Sequence, residues 1–186
     1  LIAGTPMTMA CTYAPLAEVA DFTRLSGEQA DAAVDAGQLI LLHDGVKAKV
    51  ARGVNSLVTT TKDKGASFQK IKIVELLDMV FTDLRQSITD SYIGKYANSY
   101  DNKLVLVTAI KTYLDSLERD GLIQSGSSVV EIDADAQAAW LAENGTDTSG
   151  MDEQALREAN TGSHVFLRIA FKPLDAIEDV HIPITI

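Results

Sequence analysis

Near the end of the chain Asp175, Glu178 and Asp179 form its densest local group of carboxylates. Two adjacent carboxyl groups can act as acid and base only where their surroundings push their pKa values apart. Carboxylates can also hold calcium, but an EF-hand loop requires glycine at its sixth position and glutamate at its twelfth. The sequence supplies neither pattern, and the loop carrying Asp147, Asp152 and Glu153 fails the calcium requirement as well. His43, His164 and His181 lie far apart, each without a Cys or His at zinc-ligand spacing. Cys11, the only cysteine, has no catalytic signature around it and reads as a small buried hydrophobe. Gly94-Lys95-Tyr96 lacks both the upstream glycine and the following Ser or Thr of a phosphate loop, and no dinucleotide fingerprint or nucleophile elbow occurs. The residues therefore point to no catalysis, no metal and no cofactor.

The chemistry the sequence does offer is that of main-chain pairing. In the last eight residues Val180, Ile182, Ile184 and Ile186 alternate with Asp179, His181, Pro183 and Thr185, the period of a strand with one apolar face. Pro183 has no backbone donor and suits an edge strand, bonded on one rim only. An apolar strand at a chain end calls for a partner, because an exposed edge pairs readily with another chain. The partner is either another part of this chain or a neighbouring copy, and the residues leave both open.

Charge gives a second surface. The net charge of −10 opposes binding to nucleic acid and anionic membranes. Between Lys47 and Lys72, however, seven basic residues (Lys47, Lys49, Arg52, Lys62, Lys64, Lys70 and Lys72) face one acid, Asp63. From Gly126 onward three basic residues face eleven acidic ones, so the two regions suit head-to-tail pairing between copies. With 186 residues, 46% hydrophobic and 23% charged, the chain can bury a substantial core. It has no apolar run long enough to span a membrane, and its first residue, Leu1, suggests a piece of a longer protein.

These features must be positioned by a mixture of helices and strands. Residues 1–24 read as loop and short strand. Ser26, followed by Glu28 and Gln29, starts a short helix through about Ala36 that ends at Gly37. Leu39–His43 and Val46–Val50 flank Asp44-Gly45, a hairpin signal. Ile73, Leu76, Leu77, Val80, Leu84, Ile88 and Tyr92 recur at helical spacing up to Gly94. Asp101 is positioned to cap a second long helix with Leu104, Val107, Ile110, Leu114 and Leu117 as its buried stripe, closed by Gly121. A strand over Val129–Ile132 follows, then helices over Ala134–Glu143 and Met151–Ala159, and a strand over His164–Lys172 ended by Pro173. Without a βαβ rhythm the fold class is α+β, a mixed sheet with packed long helices and an extended terminal arm.

Three stretches carry a family resemblance: Arg52-Gly53-Val54-Asn55-Ser56-Leu57, Tyr92-Ile93-Gly94-Lys95 with Asn98, and Leu174-Asp175-Ala176-Ile177-Glu178-Asp179. In order and spacing they resemble the C-terminal region of contractile phage tail sheath proteins, over residues 37–186. Ile177 stands where many members have Met, a volume-conserving change. The resemblance implies the end of a preceding domain or a connecting segment over 1–36, a core domain over 37–177 and a strand-exchange arm over 178–186, with Ala176, Ile177 and Glu178 as its hinge. It further implies a non-enzymatic subunit that assembles with copies of itself into hexameric rings stacked around an inner tail tube. Baseplate and terminator proteins would be further partners, and the place a virion tail assembled in the bacterial cytoplasm. The sheath of a contractile secretion or injection system, or an unrelated α+β binding domain, are the alternatives.

Overall fold

The computed structural model describes residues 4–62 and 64–185. They divide into two compact units, one comprising the described residues up to Met79 together with Leu174–Thr185, the other Val80–Pro173.

In the first unit, α1 (Gly27–Asp35) begins at Ser26, whose hydroxyl accepts from the Gln29 amide while the Gln29 side chain accepts from the Ser26 amide. This reciprocal cap satisfies two otherwise orphaned donors. The helix gives way at Gly37, whose φ of +72° and whose approach to Asn55 O, 2.8 Å from where a Cβ would lie, both exclude a side chain. The strands β1 (Leu41–His43) and β2 (Ala48–Val50) pair antiparallel, with His43 opposite Ala48. A four-residue loop, Asp44–Lys47, therefore replaces the two-residue turn expected at Asp44-Gly45. The Asp44 carboxylate accepts from the Val46 and Lys47 amides at 2.9 Å, which holds the wider loop closed. On its other edge β2 is met by residues 13–16, through Tyr13 N to Val50 O at 2.8 Å and Leu16 N to Ala48 O at 2.9 Å. Cys11, Ala33, Ala48, Val50, Ala51, Ile73 and Leu76 form the buried centre.

The long helix α2 (Ile71–Ser91) buries Lys72, Ile73, Leu76 and Val80 and is followed by Gly94 in the left-handed region. In the second unit α3 (Tyr100–Arg119) is capped by Ser99, which accepts from the Asn102 amide, and not by Asp101. Asp101 sits instead in the first turn, where a negative charge suits the helix dipole. The buried stripe is also displaced from expectation: Leu104 is exposed, and Lys103 and Leu106 join Ile110, Leu114 and Leu117 inside. Burial of Lys103 works because its ammonium donates to Gln137 Oε1 at 3.2 Å and Ala159 O at 3.1 Å. β3 (Val129–Ile132) lies on α3 and pairs antiparallel with β4 (Leu167–Ala170), Val129 opposite Ala170. Between them α4 (Ala134–Glu143), capped by Asp133, packs with α5 (Glu153–Glu158), capped by Asp152. The α+β class holds. Among the described residues the β part is two antiparallel pairs, one in each unit, in place of a single mixed sheet.

Gly53 follows β2 where a Cβ would come within 2.9 Å of Cys11 Sγ and 3.4 Å of Thr12 Oγ1. Gly53→Ala is expected to lower stability by about 1–3 kcal/mol through overpacking. Gly65→Ala, at an open position, should leave stability unchanged or slightly raised. Denaturant midpoints of the two variants check this pair of outcomes.

Candidate functional site: the root of the terminal segment

Residues 174–185 form neither helix nor strand, and no β-bridge among the described residues involves them. Within that irregular stretch one side chain is fixed. Glu178 has a side chain only 5% exposed, although Ile177 before it is 89% exposed. Three segments distant in sequence converge on its carboxylate. Thr12 donates its hydroxyl to Oε1, and Lys70 donates its ammonium to Oε2. Arg52 Nη1 donates to Oε2 at 3.3 Å.

The surroundings extend this grip. Arg52 Nη2 also pairs with Asp179, and Lys70 stands 3.9 Å from Asp175. Lys72, buried at the start of α2, donates to Leu174 O at 2.7 Å. Thr12 is itself held, its hydroxyl accepting from the Gly53 amide at 2.8 Å. Arg52 and Lys70 are set on the frame by backbone bonds next to them, Ala51 N to Ile40 O at 2.9 Å and Ile71 N to Gly53 O at 3.0 Å. Burial alone raises a carboxyl pKa, and for Glu178 this is the largest single influence. The bonds from Lys70 and Thr12 and the charges of Lys70 and Arg52 together outweigh it and leave the group below its ordinary value. Burial pushes the Cys11 thiol up, with the charges of Glu75 and Glu178 adding to the effect.

Past Asp179 the character changes. Val180, Ile182 and Ile184 are 70–82% exposed, and His181, Pro183 and Thr185 between them are exposed too. Ile186 lies outside the described residues. The expected hinge residues therefore separate: Ala176 is half-buried, Ile177 projects outward and Glu178 is locked.

The basic patch separates in the same way. Arg52, Lys70 and Lys72 engage the terminal segment of their own chain, and Lys49 pairs with Asp44 at 2.5 Å. Lys47, Lys62 and Lys64 stand exposed. Charge counting found these residues, yet it could not show that acids of the same chain would meet them. Thr12 was missed altogether, because an isolated threonine in a loop carries no signal of its partner.

The remaining motif belongs to the second unit. Asn98 donates its amide to Gly162 O at 2.8 Å, His164 O at 2.9 Å and Thr161 Oγ1 at 3.2 Å, fastening the turn before β4. Of the histidines, His43 stacks on Phe22 and His164 lies against Trp140 and Phe166. Among the described residues no group of three His, Cys, Asp or Glu side chains is placed to hold a metal ion, and no helix is long and apolar enough to cross a membrane.

The family model of the phage tail sheath C-terminal domain matches residues 63–186. The tail sheath protein of Clostridium phage phiCD119 is 43% identical over 182 residues, 98% of this chain and 51% of that protein. The chain belongs to the phage tail sheath family, which is structural and not enzymatic. It spans about half the length of this curated relative. The sheath tail protein from Desulfitobacterium hafniense superposes with a TM-score of 0.63 at 25% identity, over 71% of this chain and 32% of that one. A chain of the anti-feeding prophage baseplate, in a 6-fold symmetrised cryo-EM structure, shares the fold with a TM-score of 0.65 at 15% identity, over 98% of this chain and 46% of that one.

Because the folded-state pKa of Glu178 is depressed, its contribution to stability is full above the unfolded-state value and is lost as pH falls through the folded-state value. Glu178→Gln removes that contribution. The wild type is expected to be the more stable protein near neutral pH, and the gap should close as pH falls below the ordinary glutamate value of 4.5. Thermal melts of both proteins across that range measure it.

Proposed function

We propose that this chain is the C-terminal part of a contractile tail sheath subunit, which polymerises around an inner tube and contracts to drive that tube through a target envelope. Neighbouring copies are joined by strand exchange through Val180–Ile186. The observation that carries this reading is the exposed alternation of Val180, Ile182 and Ile184 beyond a fixed root. Added to a strand edge, such a segment gains main-chain hydrogen bonds while its alternate side chains fill pockets. Two-stranded pairs are the natural acceptors, since a third strand stabilises what is marginal alone. β3 and β4 pair only with each other among the described residues, which leaves their outer edges for it.

Magnitudes favour a contact that works by number. Ordering the six backbone residues from Val180 to Thr185 costs roughly 6–12 kcal/mol. Burying Val180, Ile182 and Ile184 returns roughly 5–9 kcal/mol, and about four hydrogen bonds add some 2–6 kcal/mol. One arm is thus close to balance. Many arms in one tube, each tethering its neighbour, hold through effective concentration. Contraction then repacks the subunit bodies while the arms keep neighbours connected. Lys47, Lys62 and Lys64, exposed and outside the clustered root, are the charges available to contacts between copies. The tube, baseplate and terminator proteins are the other partners, and the assembly forms in the host cytoplasm as part of a virion tail.

A second reading, the sheath of a contractile injection device without a capsid, is favoured by the fold shared with the anti-feeding prophage chain over 98% of this one. Purified particles with DNA-filled heads decide for the virion.

Negative-stain microscopy of the full-length polypeptide, with and without Val180–Ile186, tests the proposal. Tubes or stacked rings are expected for the intact protein, and dispersed particles with a Tm within a few degrees of it for the deletion. Tubes that persist after deletion would overturn strand exchange, and dispersed particles in both would overturn the sheath reading itself.

A further inference from the structure

We propose that Glu178 is a clasp that sets the free length of the terminal arm, so that the arm starts at Val180 and not at Ala176. The carboxylate is the only side chain of the stretch 176–185 that is almost wholly withdrawn from solvent. Its three partners come from three places on the frame: the loop before α1, the exit of β2 and the entry to α2. Lys72 on Leu174 O and Arg52 on Asp179 flank it, so the chain is gripped on both sides of Glu178. Such convergence resists displacement in every direction, as a single surface ion pair does not.

The clasp has a geometric consequence. From Val180 to Thr185 the arm can reach about 20 Å when extended, and from Ala176 about 35 Å. A slack arm more than half as long again samples a larger volume, which lowers the effective concentration at its docking edge and loosens the link between bodies. A short arm on a fixed root confines the partner to a narrow shell instead.

Elastase, which cleaves after small aliphatic residues, reads the clasp directly in the full-length polypeptide, with products mapped by mass spectrometry. In the wild type, cleavage is expected after Val180 and to be slow after Ala176. Arg52→Ala and Lys70→Ala leave the arm itself unchanged, and each is expected to raise the cleavage rate after Ala176 at least about tenfold by populating the released root. Lys47→Ala, at an exposed position outside the cluster, should leave the rate unchanged. Cleavage after Ala176 that is already fast in the wild type, or no faster in either frame variant, would overturn the clasp. To separate release from unfolding, cleavage within α2 is followed in the same digests. Acceleration after Ala176 alone supports the clasp, and equal acceleration at both places overturns it. This readout needs no assembly, so it stands or fails separately from the sheath proposal. In tubes, the frame variants should assemble with lower order or at higher protein concentration than the wild type.

Discussion

A buried carboxylate has to be compensated, and in this chain the compensation for Glu178 organises the first unit. Leaving a charge unpaired inside a protein costs several kcal/mol. The partners for this one are drawn from residues 12, 52 and 70, which local propensity alone would not bring together. Each partner is in turn fixed by something smaller. Gly53 has no side chain, so Thr12 and Cys11 can lie against it. The bond from Ile71 N to Gly53 O brings the entry of α2 to the exit of β2. The polar cluster and the close packing around Gly53 are two aspects of one arrangement.

That arrangement explains why an otherwise irregular tail can have a defined origin. Residues 174–185 have no ladder to order them, so side-chain bonds do the work that secondary structure does elsewhere. The second unit uses the same device in another place. The turn before β4 is held by the amide of Asn98 on three oxygen atoms, and the end of α5 by Lys103 and Gln137 on Ala159 O. In both units, loops that carry little apolar surface are placed by a polar side chain reaching from a better-ordered element.

What could be read from the residues follows from how local each determinant is. The caps at Ser26 and Gly37, the run of α4 and the α2 stripe depend on neighbours within one or two helical turns, and sequence shows them. In α3 the expected positions Ile110, Leu114 and Leu117 are buried, and only the first turns differ, burying Lys103 and Leu106 ahead of Leu104 and Val107; nothing local marks Lys103 as inward-facing. Only the distant Gln137 and Ala159 oxygens make its burial acceptable. The Asp44-Gly45 loop was read too tight, since the Asp44 carboxylate offers the next two amides an alternative to a two-residue turn. For the site, the apolar alternation of the arm and the basic residues were both legible. Their meeting at Glu178 was not, because it joins positions more than a hundred residues apart.

The two outer motifs of the family resemblance, Arg52–Leu57 and Leu174–Asp179, thereby acquire one physical meaning. Arg52 pairs with Glu178 and Asp179, Gly53 admits Thr12, and Thr12 donates to Glu178. Under the proposed contraction, a sheath subunit lets its body move relative to its neighbours without letting go of them. On that proposal, an arm exposed along its length but rooted in charge-assisted bonds meets both requirements, because tension on the arm arrives at the residues that hold Glu178. A hinge at Glu178 itself would meet only the first. Exposure beyond Asp179 with burial and bonding at Glu178 is therefore the division of labour that this proposal calls for.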